Sequence, residues 1–155
     1  MKIICAFATA LGLIAFVISC QQQNPVDNKQ ASIDSLKNMV ILLKPGLGEF
    51  MLQIKYHHDE LGKAITNKDY ERAAYEIDEI KETTERIKQL HITNDKLQNA
   101  FSFFYEKYLA APLNILAEAS SKKDDATLKT NFVGLTNNCN GCHRENNMGF
   151  MKIGE

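Results

Sequence analysis

The run Cys139-Asn140-Gly141-Cys142-His143 is the feature that most constrains how this chain of 155 residues can fold. It is a C-x-x-C-H motif, the attachment site of a c-type haem. On an α-helix, residues three and four positions apart share a face, so Cys139 lies on the side of Cys142 and His143. Two thiols can then bond to one porphyrin while the adjacent imidazole reaches its iron. The motif predicts a helix here, one covalent haem c on Cys139 and Cys142, and His143 as proximal iron ligand.

Other uses of a C-x-x-C pair fit this chain less well. A redox disulfide usually accompanies a strand-helix unit, and no such pattern surrounds the motif. A zinc site would call for a second C-x-x-C or for histidines at finger-like spacing, and the chain has neither.

Residues 1–20 have the layout of an export signal. One charge, Lys2, precedes an apolar run from Ile3 to Ile18, which is too short and wrongly flanked for a stable membrane span. The end of the run, residues 17–20, resembles a bacterial lipobox and implies lipid on Cys20 with cleavage before it. An ordinary signal with a chance cysteine is the alternative. We therefore expect an exported protein, lipid-anchored to a bacterial membrane and facing the periplasm.

The four cysteines are all used by these two predictions. Cys5 lies in the signal, Cys20 carries lipid, and Cys139 and Cys142 carry haem, so none remains for a structural disulfide. Covalent haem attachment in bacteria takes place outside the cytoplasmic membrane. The signal and the haem motif therefore predict the same compartment independently.

The chain is expected to contain three parts: a signal peptide at residues 1–19, a flexible tether at 20–31, and a helical haem-binding domain at 32–155. Residues 21–30 contain no aliphatic residue except Val26, which is typical of a flexible tether. The formal net charge is only −1 and no basic stripe is present, which argues against binding to nucleic acid.

Hydrophobic periodicity predicts a short helix at residues 31–43 and four long helices. The long helices are expected at 47–67, at 70–90 with Asp69 as the cap, at 95–120 with a kink at Pro112, and from a cap at Asp124 or Asp125 to the haem motif. The expected inward positions include Leu47, Met51, Ile54, His58, Leu61 and Ile65 in the first, and Leu97, Phe101, Phe104, Tyr108, Ile115 and Leu116 in the third. His57 is expected to be exposed. Short connections imply an all-α, up-down-up-down four-helix bundle, with the first and fourth long helices side by side.

A chain whose C-x-x-C-H motif ends the fourth helix of such a bundle resembles the cytochrome c-prime family, over about residues 47–155. The resemblance implies that an early residue of the first long helix covers the far side of the haem, as a methionine ligand or as a non-ligating apolar residue. Met51 is the corresponding residue. His58, two turns further on the same face, is the alternative distal ligand. The resemblance also suggests a homodimer through the first two long helices, although tethering could replace that need.

The sixth iron position decides what such a haem does. With Met51 or His58 on the iron, we expect a one-electron carrier at a membrane surface, exchanging electrons with redox partner proteins in the periplasm or membrane. With that position open, nitric oxide or carbon monoxide could bind, for sensing or detoxification. An accessory subunit that relays electrons within a complex is a third hypothesis. The acidic residues, among them Asp59 and Glu60, fall on predicted solvent faces, so no catalytic constellation indicates an enzyme.

Overall fold

A computed structural model describes residues 25–154, and all regular secondary structure among them is helical. The elements are α1 (Pro25–Leu43), α2 (Leu47–Asn67), α3 (Tyr70–Gln89), α4 (Phe101–Phe104), a π-helical segment (Tyr105–Leu109), α5 (Ala110–Ser121) and α6 (Asp125–Glu145). The predicted all-α class is therefore confirmed for this part of the chain. The predicted signal peptide, Cys20 and the first residues of the tether lie outside the described residues.

Helix α1 begins earlier than its sequence pattern predicted. It starts at Pro25, so residues 25–30, which were predicted to belong to the tether, are helical. Proline suits the first turn of a helix, because its missing N–H would have no partner there. The chain divides after Lys44, and α1 belongs to the unit that precedes the division. Among residues 25–154, no helix combines the length and apolar character needed to cross a bilayer.

Helices α2 and α3 form at the predicted places because local signals delimit them. α2 has the predicted bounds, and α3 ends one residue before its predicted end. Lys68 ends α2 in the left-handed conformation (φ 56°), where its N–H bonds back to α2 carbonyls. The side chain of Asp69 then caps α3 by accepting from the N–H of Arg72 at 3.0 Å, as predicted. This two-residue connection lays α3 antiparallel against α2.

The interface between α2 and α3 contains a buried charge that the sequence analysis placed wrongly. Glu76 is fully buried, although the acidic residues of this helix were expected to face solvent. His57, expected to be exposed, is half-buried, with its Nδ1 2.6 Å from Oε2 of Glu76. Arg72 pairs with the other oxygen of that carboxylate. The burial is tolerated because one oxygen lies against the His57 ring nitrogen and the other forms an ion pair with Arg72.

The third long helix differs most from its prediction. It begins at Phe101 rather than at 95, and it contains the π-helical segment. A π turn holds one more residue than an α turn, so every later side chain rotates to a new direction. Leu113 and Leu116 are consequently fully buried, while Ile115 is 42% exposed. The prediction that Ile115 points inward was wrong because it assumed an uninterrupted α-helical period through residues 105–109.

Helix α6 has the predicted start and cap. Asp124 accepts from the N–H of Thr127 at 3.1 Å, and the buried positions are Leu128, Leu135 and Cys139. α6 packs mainly on α5 and the π-helical segment, and it also contacts α2. After Glu145 the chain reverses and returns along α6. This C-terminal segment, residues 146–154, brings further groups to the haem motif.

Candidate haem attachment site at the end of α6

The last two turns of α6 contain the entire C-x-x-C-H motif in continuous helix, as predicted. Cys139 is buried, at 8% exposure, while Cys142 and His143 are half-buried. Both thiols are free. The helix therefore brings the two cysteines and the histidine to one end of the compact unit, within two turns of each other.

The surroundings of the two thiols oppose ionisation. Burial raises the pKa of the Cys139 thiol to about 12. Burial also raises the pKa of the Cys142 thiol to about 11, and the nearby carboxylate of Glu145 acts in the same direction. Zinc binding and thiol-disulfide exchange both require a thiolate. A finished thioether sulfur carries no charge, so this environment is compatible with an attached haem.

The imidazole of His143 is held by one nitrogen, which leaves the other available. Its Nδ1 lies 2.7 Å from the backbone carbonyl oxygen of Met151. A carbonyl can only accept, so Nδ1 carries a proton, and the neutral form of this ring keeps its lone pair on Nε2. Histidines that bind a metal through one ring nitrogen nearly always donate from the other to a carbonyl or carboxylate. His143 therefore has the tautomer that an iron ligand needs.

The C-terminal segment is fixed to α6 at three levels. Near its start, the N–H of Met148 donates to the His143 carbonyl at 2.7 Å. Near its end, the side chain of Asn140 binds the main chain of Ile153, which is buried. At Gly154 an added Cβ would lie only 2.9 Å from Thr136, so the backbone passes close to the helix. The Met151 carbonyl thus belongs to a segment with a defined path.

The π-helical segment supports the motif from another side. Pro112 has no N–H, so the carbonyl of Tyr108, four residues earlier, lacks its normal α-helical donor. The side-chain amide of Asn138 donates to that carbonyl at 2.9 Å. The Tyr108 ring lies against Gly141, where an added Cβ would come within 3.2 Å of it. Its hydroxyl donates to Glu145. Asn138, Asn140, Gly141 and His143 are thus each in contact with a residue outside α6.

Neither a family model, nor a curated protein, nor a solved structure matches this chain. The motif and the geometry around it are consequently the features that indicate a haem site here. The sequence analysis missed Asn138, Asn140 and Glu145. Pro112 could have indicated an unmet carbonyl at Tyr108, but nothing in the sequence identifies Asn138 as its donor.

Contacts between α2 and α6 establish which of their residues are level with each other. His58 Nε2 lies 2.8 Å from Thr136 Oγ1, and Gly62 lies against Phe132. From the first pair to the second, the contact moves four residues forward along α2 and four residues back along α6, as antiparallel helices require. Continuing seven residues further places the half-buried Met51 level with His143. His58 lies about 10 Å away from that level along the helix axis.

His58 has a defined structural setting of its own. It is 2% exposed, and its ring stacks on Phe132 with the ring centroids 4.7 Å apart. Desolvation by burial lowers the pKa of His58, although its contact with Asp59 opposes this. The residue lines a groove of about 590 Å³ together with Thr136 and Gly154. His58 therefore joins α2 to α6 as a neutral residue of the interior.

Proposed function

We propose that this chain is a monohaem c-type cytochrome of the cytochrome c-prime type, which carries one electron at a membrane surface in the periplasm. The observation that carries the proposal is the hydrogen bond from His143 Nδ1 to the Met151 carbonyl, inside a C-x-x-C-H motif. A motif that arose by chance would have no reason to keep its histidine in the tautomer suited to iron. The raised pKa values of the buried Cys139 thiol and the half-buried Cys142 thiol, on the same helix, are compatible with it.

In this proposal each residue of the site has one role. Cys139 and Cys142 attach the porphyrin, His143 Nε2 binds the iron on the proximal side, and Met51 binds it on the distal side. A bound haem supplies an iron that accepts and releases a single electron. Met51 is preferred to His58 because the helical register puts it level with His143. His58 also has a partner already, in Thr136.

The proposal extends to the architecture and to the anchor. The four long helices, counting α4 to α5 as one, are proposed to form an up-down-up-down bundle with the haem near the ends of α2 and α6. The lipobox-like sequence supports a lipid on Cys20, which would keep the protein at a bacterial membrane. Redox proteins of that membrane or of the periplasm are the proposed partners.

The test is the absorption spectrum of the exported protein, oxidised and reduced, with and without carbon monoxide. We expect covalent haem in the wild type and none in the Cys139→Ser/Cys142→Ser double variant. Covalent haem in the double variant, or none in a wild type produced with a working attachment system, would refute the central claim. Cys20→Ser should release the protein from membranes, and unchanged partitioning would refute the lipid anchor.

A matched pair of variants identifies the distal ligand. We expect a low-spin spectrum that carbon monoxide does not change, and Met51→Ala should convert it to a high-spin spectrum. His58→Ala should leave the coordination intact. The opposite result for the two variants would make His58 the ligand. A high-spin wild type that binds carbon monoxide would instead favour gas binding over electron transfer.

A further inference from the structure

Asn140, the first residue between the two cysteines, makes an unusual pair of hydrogen bonds. Its Nδ2 donates to the Ile153 carbonyl at 3.1 Å, and its Oδ1 accepts from the Ile153 N–H at 2.9 Å. One side chain therefore satisfies both main-chain groups of one residue in the C-terminal segment. Ile153 is also buried, at 9% exposure, within the hydrophobic core. The contact fixes both the position and the orientation of the backbone at Ile153.

The contact between Asn140 and Ile153 lies close to the carbonyl that orients His143. Met151, whose carbonyl accepts from His143 Nδ1, precedes Ile153 by only two residues. On α6, Asn140 precedes His143 by three residues, so both side chains lie on one face of the helix. The Met151 side chain is itself 45% exposed and offers little to hold its backbone in place. The Met151 backbone is held on one side by the hydrogen bond from its N–H to the Met148 carbonyl at 2.9 Å, and on the other side by the Asn140–Ile153 contact.

We propose that Asn140 is a positioning residue for the iron ligand. Through Ile153 it keeps the Met151 carbonyl on His143 Nδ1, which fixes the tautomer and the ring orientation of the imidazole. A hydrogen bond of this kind makes the imidazole a stronger donor and stabilises the oxidised iron. The part of the inference that concerns iron rests on the proposed function. The part that concerns the His143 tautomer does not.

The first experiment needs no haem. The exported protein carrying Cys139→Ser and Cys142→Ser is compared by NMR with the same protein carrying Asn140→Ala in addition. We expect the Ile153 amide to exchange roughly tenfold faster or more in the Asn140 variant, and the ¹⁵N shifts of His143 to move toward a mixture of tautomers. Unchanged exchange and unchanged shifts would overturn the inference.

The control is Asn131→Ala, which removes a half-buried asparagine from the same helix. Asn131 donates only to the carbonyl of Thr127, within α6, at 3.0 Å. Its loss should leave both the Ile153 amide and the His143 shifts as they were. Asn140→Asp, which can accept from the Ile153 N–H but cannot donate, should give an effect between wild type and Asn140→Ala. An effect of Asn131→Ala as large as that of Asn140→Ala would contradict a specific role.

The second experiment measures the reduction potential of the haem-loaded protein. Asn140→Ala should raise the potential, and Asn131→Ala should not, because only the former weakens the hydrogen bond at Nδ1. A tautomer change without a change in potential would overturn the link to the iron. Absence of covalent haem from the wild type would refute the proposed function alone, since the NMR comparison would still decide what Asn140 does for His143.

Discussion

Leu113→Ala and Ile115→Ala together test how the π-helical segment rotates the helix that follows it. Leu113 is fully buried, whereas Ile115 is 42% exposed. An uninterrupted α-helix from Phe104 would instead point Ile115 inward. Because the two substitutions remove similar amounts of hydrocarbon, the difference between their effects on stability measures the rotation directly.

The expected magnitudes follow from burial. Removing a fully buried leucine side chain costs about 3 kcal/mol in unfolding free energy, because transfer and cavity terms add. Ile115 keeps much of its surface in water, so its loss should cost less than about 1 kcal/mol. With a urea dependence of about 2 kcal/mol per molar, Leu113→Ala should lower the unfolding midpoint by about 1.5 M. Ile115→Ala should lower it by no more than about 0.5 M.

The assay is urea unfolding followed by far-ultraviolet circular dichroism, in the Cys139→Ser/Cys142→Ser background so that haem content cannot vary. Leu116→Ala is the matched control, because Leu116 is fully buried like Leu113. It should cost about as much as Leu113→Ala. Equal losses for Leu113→Ala and Ile115→Ala, or a larger loss for Ile115→Ala, would refute the rotation.

Three further predictions concern other contacts. Asn138→Ala should cost about 1–3 kcal/mol in unfolding free energy, because it takes a donor from the Tyr108 carbonyl. In a Pro112→Ala background, where residue 112 supplies an N–H, the cost should be about 1 kcal/mol smaller. A double-mutant cycle in urea measures the two costs. Because burial lowers the pKa of His58, the folded protein takes up fewer protons there than the unfolded chain. The contribution of His58 to the unfolding free energy should be complete above pH 6.5 and decline as the pH falls through the lowered pKa of the folded state. Wild type should therefore lose stability relative to His58→Gln between pH 7.5 and 5. In folded haem-free protein, alkylation of Cys139 by iodoacetamide at pH 8 should be roughly a hundredfold slower or more than in urea, since little thiolate is present; mass spectrometry follows the reaction.

Each of these predictions has a result that would contradict it. Equal costs of Asn138→Ala with and without Pro112 would show that the Tyr108 carbonyl does not depend on this amide. Parallel stability profiles for wild type and His58→Gln would mean that His58 titrates alike in both states. Rapid alkylation of Cys139 under folding conditions would show that its thiol is accessible and ionises readily.

The sequence predicted those features whose causes are local. The bounds of α2, and the caps Asp69 and Asp124, follow from apolar spacing and from side chains that bond two or three residues away. The helix through the haem motif was predicted in the same way. These features are correct because each depends on residues that are close together in the chain.

The features that were missed depend on residues far apart in the sequence. The burial of Glu76 depends in part on His57, which lies on another helix and meets its carboxylate. The hydrogen bond from His143 to Met151 exists because the chain reverses after α6, and nothing in the motif itself encodes that reversal. The π-helical segment leaves only an indirect trace at Pro112, because one additional residue in a turn does not alter the composition of the helix.

The burial of Cys139 also has a consequence for how the mature protein could be made. A thiol that is 8% exposed, with its pKa raised to about 12, offers neither access nor reactivity once α6 has packed. Attachment of a porphyrin would therefore have to precede the last stage of folding, so that folding and maturation compete for the same newly exported chain. In the proposed cytochrome, substitutions that speed up the packing of α6 would then lower the yield of haem-loaded protein, even where they also stabilise the haem-free polypeptide.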